Sequence, residues 1–165
     1  MPNIVVTRDY QISPNFTLGM LVRTDNRKFL DKNLTSSQYF LDNLYRLCSE
    51  VLEPVRALMG GMSISSCFRC KELNAAIGGA KNSQHTVGEA ADTEYPGASA
   101  GAPLKAAFNK IAFSNIPYSQ IIYEFGEWIH IGLIDQKLYP NKKGEKLVAT
   151  RVGGKTVYTV VINPI

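Results

Sequence analysis

The sequence contains little cysteine and little histidine, and both shortages narrow the choice of function. Its 165 residues include three cysteines and two histidines. An odd number of cysteines cannot form a complete disulfide framework. Cys67 and Cys70 form one C-x-x-C pair, and no second pair accompanies it, so we expect reduced structural thiols and no zinc finger.

Long apolar runs are also missing. No stretch approaches the roughly 18 apolar residues that a membrane-spanning helix needs, so we expect no insertion into a membrane. The first residues, MPNIVVTRDYQISPNF, lack the basic start and the long apolar core of a signal peptide. We therefore expect the protein to be made in the cytoplasm, and an activity outside the cell would depend on release by other means.

The charge distribution argues against a nucleic-acid-binding surface and leaves the other classes of function open. The net charge is +4 at pH 7 and the pI is about 9.0, but the lysines and arginines are scattered and form no block. Scattered basic residues are typical of a soluble protein, so we expect no nucleic-acid partner. The length and a hydrophobic content of 45% predict one globular domain over residues 1–165. Nothing in the sequence indicates more than a monomer.

Hydrophobic spacing predicts helices in the first half of the chain. Residues 1–33 are expected to form an irregular segment packed on the domain, because polar and apolar residues mix there around proline breakers. Residues 35–38 read TSSQ and have the spacing of a capping box that begins a helix. The apolar stripe over residues 40–55 then predicts one long helix, which Gly60-Gly61 ends.

Strand-like patterns predominate in the second half. Two further short helices are expected at residues 72–77 and after Pro103. The predicted strands span residues 62–68, 89–95, 120–125, 128–134, 146–152 and 155–162. Gly153-Gly154, between the last two strands, is a strong hairpin signal. This order of elements predicts an α+β fold, with N-terminal helices packed on a mostly antiparallel sheet.

The two histidines lie in segments that could bring them to one metal ion. His85 is in a polar loop just before a predicted strand, and Asp92 follows on that strand. His130 lies on a later strand, where it shares a face with Trp128. Two imidazoles and a carboxylate can hold a catalytic zinc ion and leave its fourth position to water. We therefore expect one Zn²⁺ per chain, bound by His85, Asp92 and His130.

Two glutamates before His130 could act as a general base. Glu127 precedes His130 by three residues, so on a regular strand it would point to the opposite face. It reaches the metal only if the chain bends or bulges near Gly126. A carboxylate beside zinc-bound water removes its proton during attack on a carbonyl, then passes the proton to the leaving amine. We expect Glu127 to be this base, and Glu124 is the alternative.

Two separated motifs surround the histidines. Residues 83–92 read SQHTVGEAAD and match S-x-H-x-x-G-x-A-x-D, and residues 127–130 read EWIH and match E-x-x-H. On these motifs the sequence resembles the zinc D-alanyl-D-alanine carboxypeptidase family, which is related in fold to lysostaphin-type peptidases and the hedgehog domain. The similarity is to the small single-domain members found in bacteriophages. It extends to the segments SPNFTLGMLVRTD, ELNAAIGGAKNSQH and ATRVGGKTVY.

The resemblance implies a zinc peptidase that cuts peptidoglycan stem peptides or their cross-links. It implies the same three zinc ligands and Glu127 as the general base. It also implies that Arg69 polarises the scissile carbonyl and stabilises its oxyanion, and that Ser83 helps to orient the substrate. Cys67 and Cys70 flank Arg69 where the family commonly has small residues, and they bring two thiols near the metal.

The resemblance also implies where the protein acts. A peptidoglycan peptidase without a signal peptide suits a phage lysis enzyme or a virion component, which reaches the cell wall after release or from outside. The alternative is a non-catalytic, zinc-containing module that binds the cell wall or a virion. Glu127 and Arg69 favour the enzyme, because a binding module needs neither.

Overall fold

The computed structural model describes residues 6–134 and 141–165. Helices predominate in the first half of the chain, and a six-stranded sheet is formed mostly by the second half. The predicted α+β fold is therefore confirmed. None of the helices in the described residues is long and apolar enough to cross a membrane.

The N-terminal segment is more ordered than the sequence suggests. Residues 1–5 lie outside the described residues, but a short hairpin follows, with strands β1 (Gln11–Ser13) and β2 (Phe16–Thr17), and then the one-turn helix α1 (Leu18–Leu21). Phe16, Leu18 and Leu21 are fully buried in the main hydrophobic core. This apolar run packs on the domain as expected, and the short regular elements are an addition that the sequence did not indicate.

A continuous helical stretch follows and changes its hydrogen-bonding pattern on the way. Its parts are α2 (Leu30–Ser37), a 3₁₀ turn (Gln38–Phe40), α3 (Leu41–Leu47), a π turn (Cys48–Leu52) and α4 (Glu53–Met59). The predicted capping box is wrong. Thr35 lies inside α2, where its hydroxyl donates to the carbonyl of Asp31 at 2.9 Å. A threonine can satisfy its hydroxyl within a helix in this way, so its presence need not mark a helix start.

The sheet has the strand order β3-β4-β6-β5-β7-β8. Its strands are β3 (Ser63–Ser66), β4 (Ala90–Glu94), β5 (Gln120–Glu124), β6 (Trp128–Gly132), β7 (Glu145–Val152) and β8 (Lys155–Val160). Neighbouring strands are antiparallel except β5 and β7, which are parallel. Two helices complete the fold, α5 (Lys71–Ala76) and α6 (Gly101–Ala112).

The two faces of the sheet have different roles. Ala91, Ile121 and Ile129 are fully buried in the main core together with residues of the helices. On the other face, Asp92 is opposite His130, which in turn is opposite Ile122. Directly paired residues point to the same side of a sheet. The strand register therefore puts Asp92 and His130 side by side on the face opposite the main core.

Candidate metal centre

Three predicted ligands come together on this face of the sheet. His85 lies in a 3₁₀ turn (Gln84–Val87), Asp92 in the middle of β4 and His130 in the middle of β6. All three are buried, and their ligand atoms lie within 4.8 Å of one another. His85 Nε2 is 3.1 Å from His130 Nδ1 and 3.2 Å from Asp92 Oδ1. The third side of the triangle, from His130 Nδ1 to Asp92 Oδ1, measures 3.1 Å.

The size of this triangle fits a single metal ion. A tetrahedral zinc ion about 2.0–2.1 Å from each ligand holds its ligand atoms roughly 3.3 Å apart. The tautomer of His85 also fits, because its Nδ1 lies 2.7 Å from the carbonyl oxygen of Cys67. A carbonyl only accepts, so Nδ1 carries the proton and Nε2 directs a lone pair toward the other two residues.

The charges of the three residues suit a divalent cation. Burial by itself raises the pKa of Asp92, but the interactions of its carboxylate with His85 and His130 together outweigh burial and lower the pKa below its ordinary value. Burial also lowers the pKa of His85, more than Asp92 raises it. The site therefore contains an ionised carboxylate and a neutral His85 imidazole, which are the forms that bind metal.

The turn that carries His85 has its own local support. The hydroxyl of Ser83 accepts a hydrogen bond from the backbone N–H of His85 at 3.3 Å, so Ser83 caps this turn while also bordering the cleft described below. Gly88 ends the turn with a φ of 73°, which favours glycine, and a side chain there would come within 3.2 Å of Leu44. The chain can therefore reverse sharply between His85 and Asp92.

Arg69 lies beside the ligands. One of its Nη atoms is 4.0 Å from Asp92 Oδ2, and its side chain is 14% exposed. Burial lowers the pKa of Arg69, while Asp92 and Glu124 raise it. A guanidinium keeps its charge even so. Its Nε is buried and has no hydrogen-bond partner among the described residues, so Arg69 brings a fixed positive charge with unused donor capacity.

The backbone around Arg69 is tightly held. Asn33, on α2, is fully buried and donates to the carbonyl of Phe68 at 2.9 Å, and its side-chain oxygen accepts from the N–H of Cys70 at 2.7 Å. The N–H of Arg69 donates to the carbonyl of His85 at 3.1 Å. Asn33 therefore fixes the backbone on both sides of Arg69, and a backbone hydrogen bond joins Arg69 directly to the turn that carries His85.

The structure does not bring Glu127 to the metal ligands. β5 and β6 pair regularly up to Glu124 and Trp128, and residues 125–127 form the turn between them. Glu127 is exposed in this turn and lines a shallow groove beside it, while its N–H donates to the Glu124 carbonyl at 2.9 Å. β6 begins at Trp128 without a register shift, and Glu127 lies in the turn before it, outside the residues that line the cleft of the metal ligands.

Glu124 has the position that was expected of Glu127. It is opposite Trp128, which is two residues from His130, so all three side chains share one face. Burial raises the pKa of Glu124, and the nearby His130 lowers it. In the sequence, Glu124 belongs to the predicted strand 120–125 and His130 to the next predicted strand, so only the pairing of the two strands across the turn brings them to one face.

One cleft of about 500 Å³ is lined by the three candidate ligands together with Arg69, Ser83 and Glu124. One side is formed by Arg69, the residues 77–80 and Ser83 to His85. The other side is formed by β5, by Phe125 and Trp128 at the two ends of the β5–β6 turn, and by side chains of β7 and β8. The three cysteines are buried with free thiols, and no cysteine belongs to the metal-ligand cluster found in the described residues.

Comparison with known protein families gives a match over most of the chain. A family model described as Peptidase M15 matches residues 14–132. This range includes the three candidate ligands, Arg69 and both glutamates, and it ends with β6, before the β7–β8 hairpin. No curated protein matches the sequence significantly.

Proposed function

The chain belongs to the peptidase M15 family, and from this membership we propose that it is a zinc-dependent peptidase. The observation that carries the proposal is the triangle of His85 Nε2, Asp92 Oδ1 and His130 Nδ1, with sides of 3.1–3.2 Å. Two imidazoles and one carboxylate form a donor set that suits zinc and leaves a position open. When bound, the zinc ion would supply Lewis acidity, which acidifies a water molecule and polarises the scissile carbonyl.

The protein's own side chains supply the remaining chemistry. Glu124 lines the cleft on the same face as His130, where it takes the proton of the attacking water and returns it to the leaving amine. Arg69 donates to the carbonyl oxygen as negative charge develops on it, because its position beside Asp92 is fixed before the reaction. The role expected of Ser83 in orienting the substrate stays a prediction.

The substrate that we propose is the peptide of bacterial peptidoglycan, cut at a D-alanyl bond of a stem peptide or cross-link. The resemblance of the motifs at residues 83–92 supports this substrate class, and a cleft of about 500 Å³ leaves room for several residues of a peptide. We further propose a monomer that acts on the cell wall after release from a cell or as part of a phage particle.

A digest of purified, cross-linked peptidoglycan tests the proposal. Wild-type protein is incubated with the polymer, with and without a chelator, and released peptides are identified by mass spectrometry. We expect chelator-sensitive cleavage that zinc restores, and the new termini identify the bond. Absence of cleavage by protein that contains one zinc ion per chain would instead favour the non-catalytic binding module.

Two matched variants separate the candidate bases. Glu124→Gln and Glu127→Gln remove the same charge from residues on either side of one turn. We expect Glu124→Gln to lower kcat by about 100-fold or more while zinc content is unchanged, since a positioned general base contributes about 10²–10⁴-fold. Glu127→Gln should retain kcat within about twofold, because Glu127 is exposed outside the metal cleft. The reverse pattern would return the base to Glu127.

A further inference from the structure

The outer end of the cleft is built by residues that lie beyond the family match. Arg151, Thr156 and Tyr158 belong to the β7–β8 hairpin and line the same cleft as the metal ligands. Glu124 is opposite Ala149 of β7, which is opposite Tyr158 of β8. A single row of side chains therefore runs from the candidate base to the edge of the sheet, although the matched range ends at residue 132.

Arg151 presents a positive charge at this outer end. Its guanidinium carbon lies 4.7 Å from the centre of the Phe125 ring. No carboxylate of the described residues forms an ion pair with Arg151, whereas Lys142, also at the cleft, pairs with Glu145 at 3.3 Å. Stacking on a ring orients a guanidinium but leaves its in-plane N–H donors available. Arg151 can therefore bind an anion that enters the cleft.

The ring beneath Arg151 is held in an unusual conformation. Phe125 has a φ of 57°, and it is the one non-glycine residue with a positive φ among residues 6–134 and 141–165. A bulky side chain rarely adopts this region, and such outliers cluster at ligand-binding positions. Phe125 also packs against Trp128, with ring centres 5.6 Å apart. The turn therefore places an aromatic ring between Trp128 and Arg151 where a glycine or an asparagine would fit with less strain.

The position of Arg151 indicates how long a ligand must be to reach it. Arg151 is two strands across from His130, and it lies four residues along β7 beyond Leu147, which is in the same row as His130. With ordinary strand dimensions this separates the two backbones by roughly 15 Å. An extended peptide covers that distance in about four or five residues, and the long arginine side chain shortens it to about three.

We propose that Arg151, stacked on Phe125, binds a carboxylate of an extended acidic peptide, several residues away from the bond that is cut. This inference rests on the proposed function and specifies its substrate, which is an acidic peptide of several residues and not a free dipeptide. Arg69, beside the metal ligands, and Arg151, at the outer end, would then contact different parts of one ligand.

The test compares binding of two synthetic stem-type peptides. They differ only in one in-chain group, three residues from the scissile bond, which is a carboxylate in one and a carboxamide in the other. Dissociation constants are measured by calorimetry in the Glu124→Gln background, so that the ligand is not consumed. We expect the acidic peptide to bind about tenfold more tightly, as a charge-assisted hydrogen bond predicts. A third peptide, amidated at its C-terminus instead, separates the in-chain carboxylate from the terminal one.

Two variants assign the preference to its residue. Arg151→Gln should abolish the tenfold preference by weakening only the acidic peptide, and Arg151→Lys should retain part of it. Lys155→Gln is the matched control, because Lys155 lies exposed on the same hairpin, does not line the cleft and carries the same charge. Persistence of the preference in Arg151→Gln, or an equal loss in Lys155→Gln, would overturn the proposal.

The proposed function can fail separately from this inference. If wild-type protein cuts neither peptide, the peptidase proposal is contradicted, while the measured binding preference still decides the role of Arg151. If wild-type protein cuts both peptides equally well and binds them equally well, the peptidase stands and the Arg151 site is rejected.

Discussion

The two sides of the cleft are built in different ways. The inner wall, which we define as residues 67–70 and 83–92, is buried, and hydrogen bonds to Asn33, His85 and Cys67 hold its backbone. The outer wall, which we define as residues 120–128 and 145–160, becomes more exposed toward the edge of the sheet, and β8 is exposed along its whole length. The inner wall lies wholly within the family match, whereas the second part of the outer wall lies beyond it.

The difference in burial and hydrogen bonding agrees with the roles that we propose for the two walls. Metal ligands and an oxyanion donor must be held in place before the reaction, so their backbone is fixed by buried hydrogen bonds. Contacts to a substrate several residues away tolerate more movement, and stacked aromatic and guanidinium groups can provide them. We therefore expect substitutions in the inner wall to affect catalysis and metal binding, and substitutions in the outer wall to affect the choice of substrate.

The largest effect is expected when the inner wall loses a metal ligand. Asp92→Ala removes the carboxylate that lies 3.1 and 3.2 Å from the two histidine nitrogens and leaves Arg69 without its nearest counter-charge. We expect zinc affinity to fall by more than about 100-fold, the upper range for changes that only disturb a ligand's support. Zinc content after dialysis measures it. The Arg151→Ala variant, which is changed in the outer wall, should retain its zinc. An equal loss of zinc from this variant would contradict the division of roles between the two walls.

Loss of Asn33 should affect the inner wall without touching a ligand. Asn33→Ala leaves the Phe68 carbonyl and the Cys70 N–H without their buried partner, so we expect the free energy of unfolding to fall by roughly 2–4 kcal/mol. Because Arg69 lies between these two residues, kcat should also fall by about tenfold or more, with a smaller change in KM. Urea unfolding and steady-state kinetics measure the two effects.

A matched control separates positioning from plain destabilisation. Thr93→Val removes a buried hydrogen bond of 2.9 Å to the Ile129 carbonyl, on the core side of β4, and should lower stability with kcat almost unchanged. Asn33→Asp keeps the oxygen that accepts from Cys70 and is expected to retain part of kcat. If Thr93→Val lowers kcat as much as Asn33→Ala does at similar stability, Asn33 has no specific role at Arg69.

The sequence and the structure agree best where local spacing decides the outcome. The candidate ligands His85 and Asp92 could be paired from the sequence, because S-x-H-x-x-G-x-A-x-D joins them through a short turn. The hairpin at Gly153-Gly154 is confirmed for the same reason, since two positive-φ residues between two strands fix a tight turn. In both places, a few neighbouring residues determine the geometry.

Agreement is poorer where the outcome depends on distant packing. Glu127 was favoured by its E-x-x-H spacing, but the regular pairing of β5 with β6 puts Glu124 on the side of the ligands. The parallel pairing of β5 with β7 brings Arg151 to the cleft, and no local pattern indicates which strand β7 will join. Which strands become neighbours depends on the packing of the whole sheet and not on a local sequence pattern.

A smaller effect is expected in the outer wall when Phe125 is replaced by glycine. Phe125→Gly relieves the backbone strain that a φ of 57° imposes on a bulky residue. It also removes an aromatic ring from the small apolar cluster with Ile122 and Leu147. Strain relief and lost burial are each on the order of 1–2 kcal/mol, so stability should change by about 1 kcal/mol or less. The preference for an acidic peptide should nevertheless fall, because Arg151 loses its support. An unchanged preference would show that the ring does not position Arg151.

The last prediction concerns the pH dependence of stability, through a buried thiol behind the inner wall. Burial raises the pKa of Cys48 to about 12 from an ordinary value of 9.0. Between pH 9 and 12 the unfolded chain loses this proton and the folded chain keeps it, so stability decreases as pH rises through this range. At pH 10, Cys48 alone should lower the free energy of unfolding by about 1.4 kcal/mol relative to pH 8. Urea unfolding at pH 8 and pH 10 measures how far the free energy of unfolding falls between the two pH values. We expect this fall to be smaller in Cys48→Ala than in wild type by the amount just given. Equal decreases in the two proteins would mean that the Cys48 thiol is not shielded from solvent in the folded state.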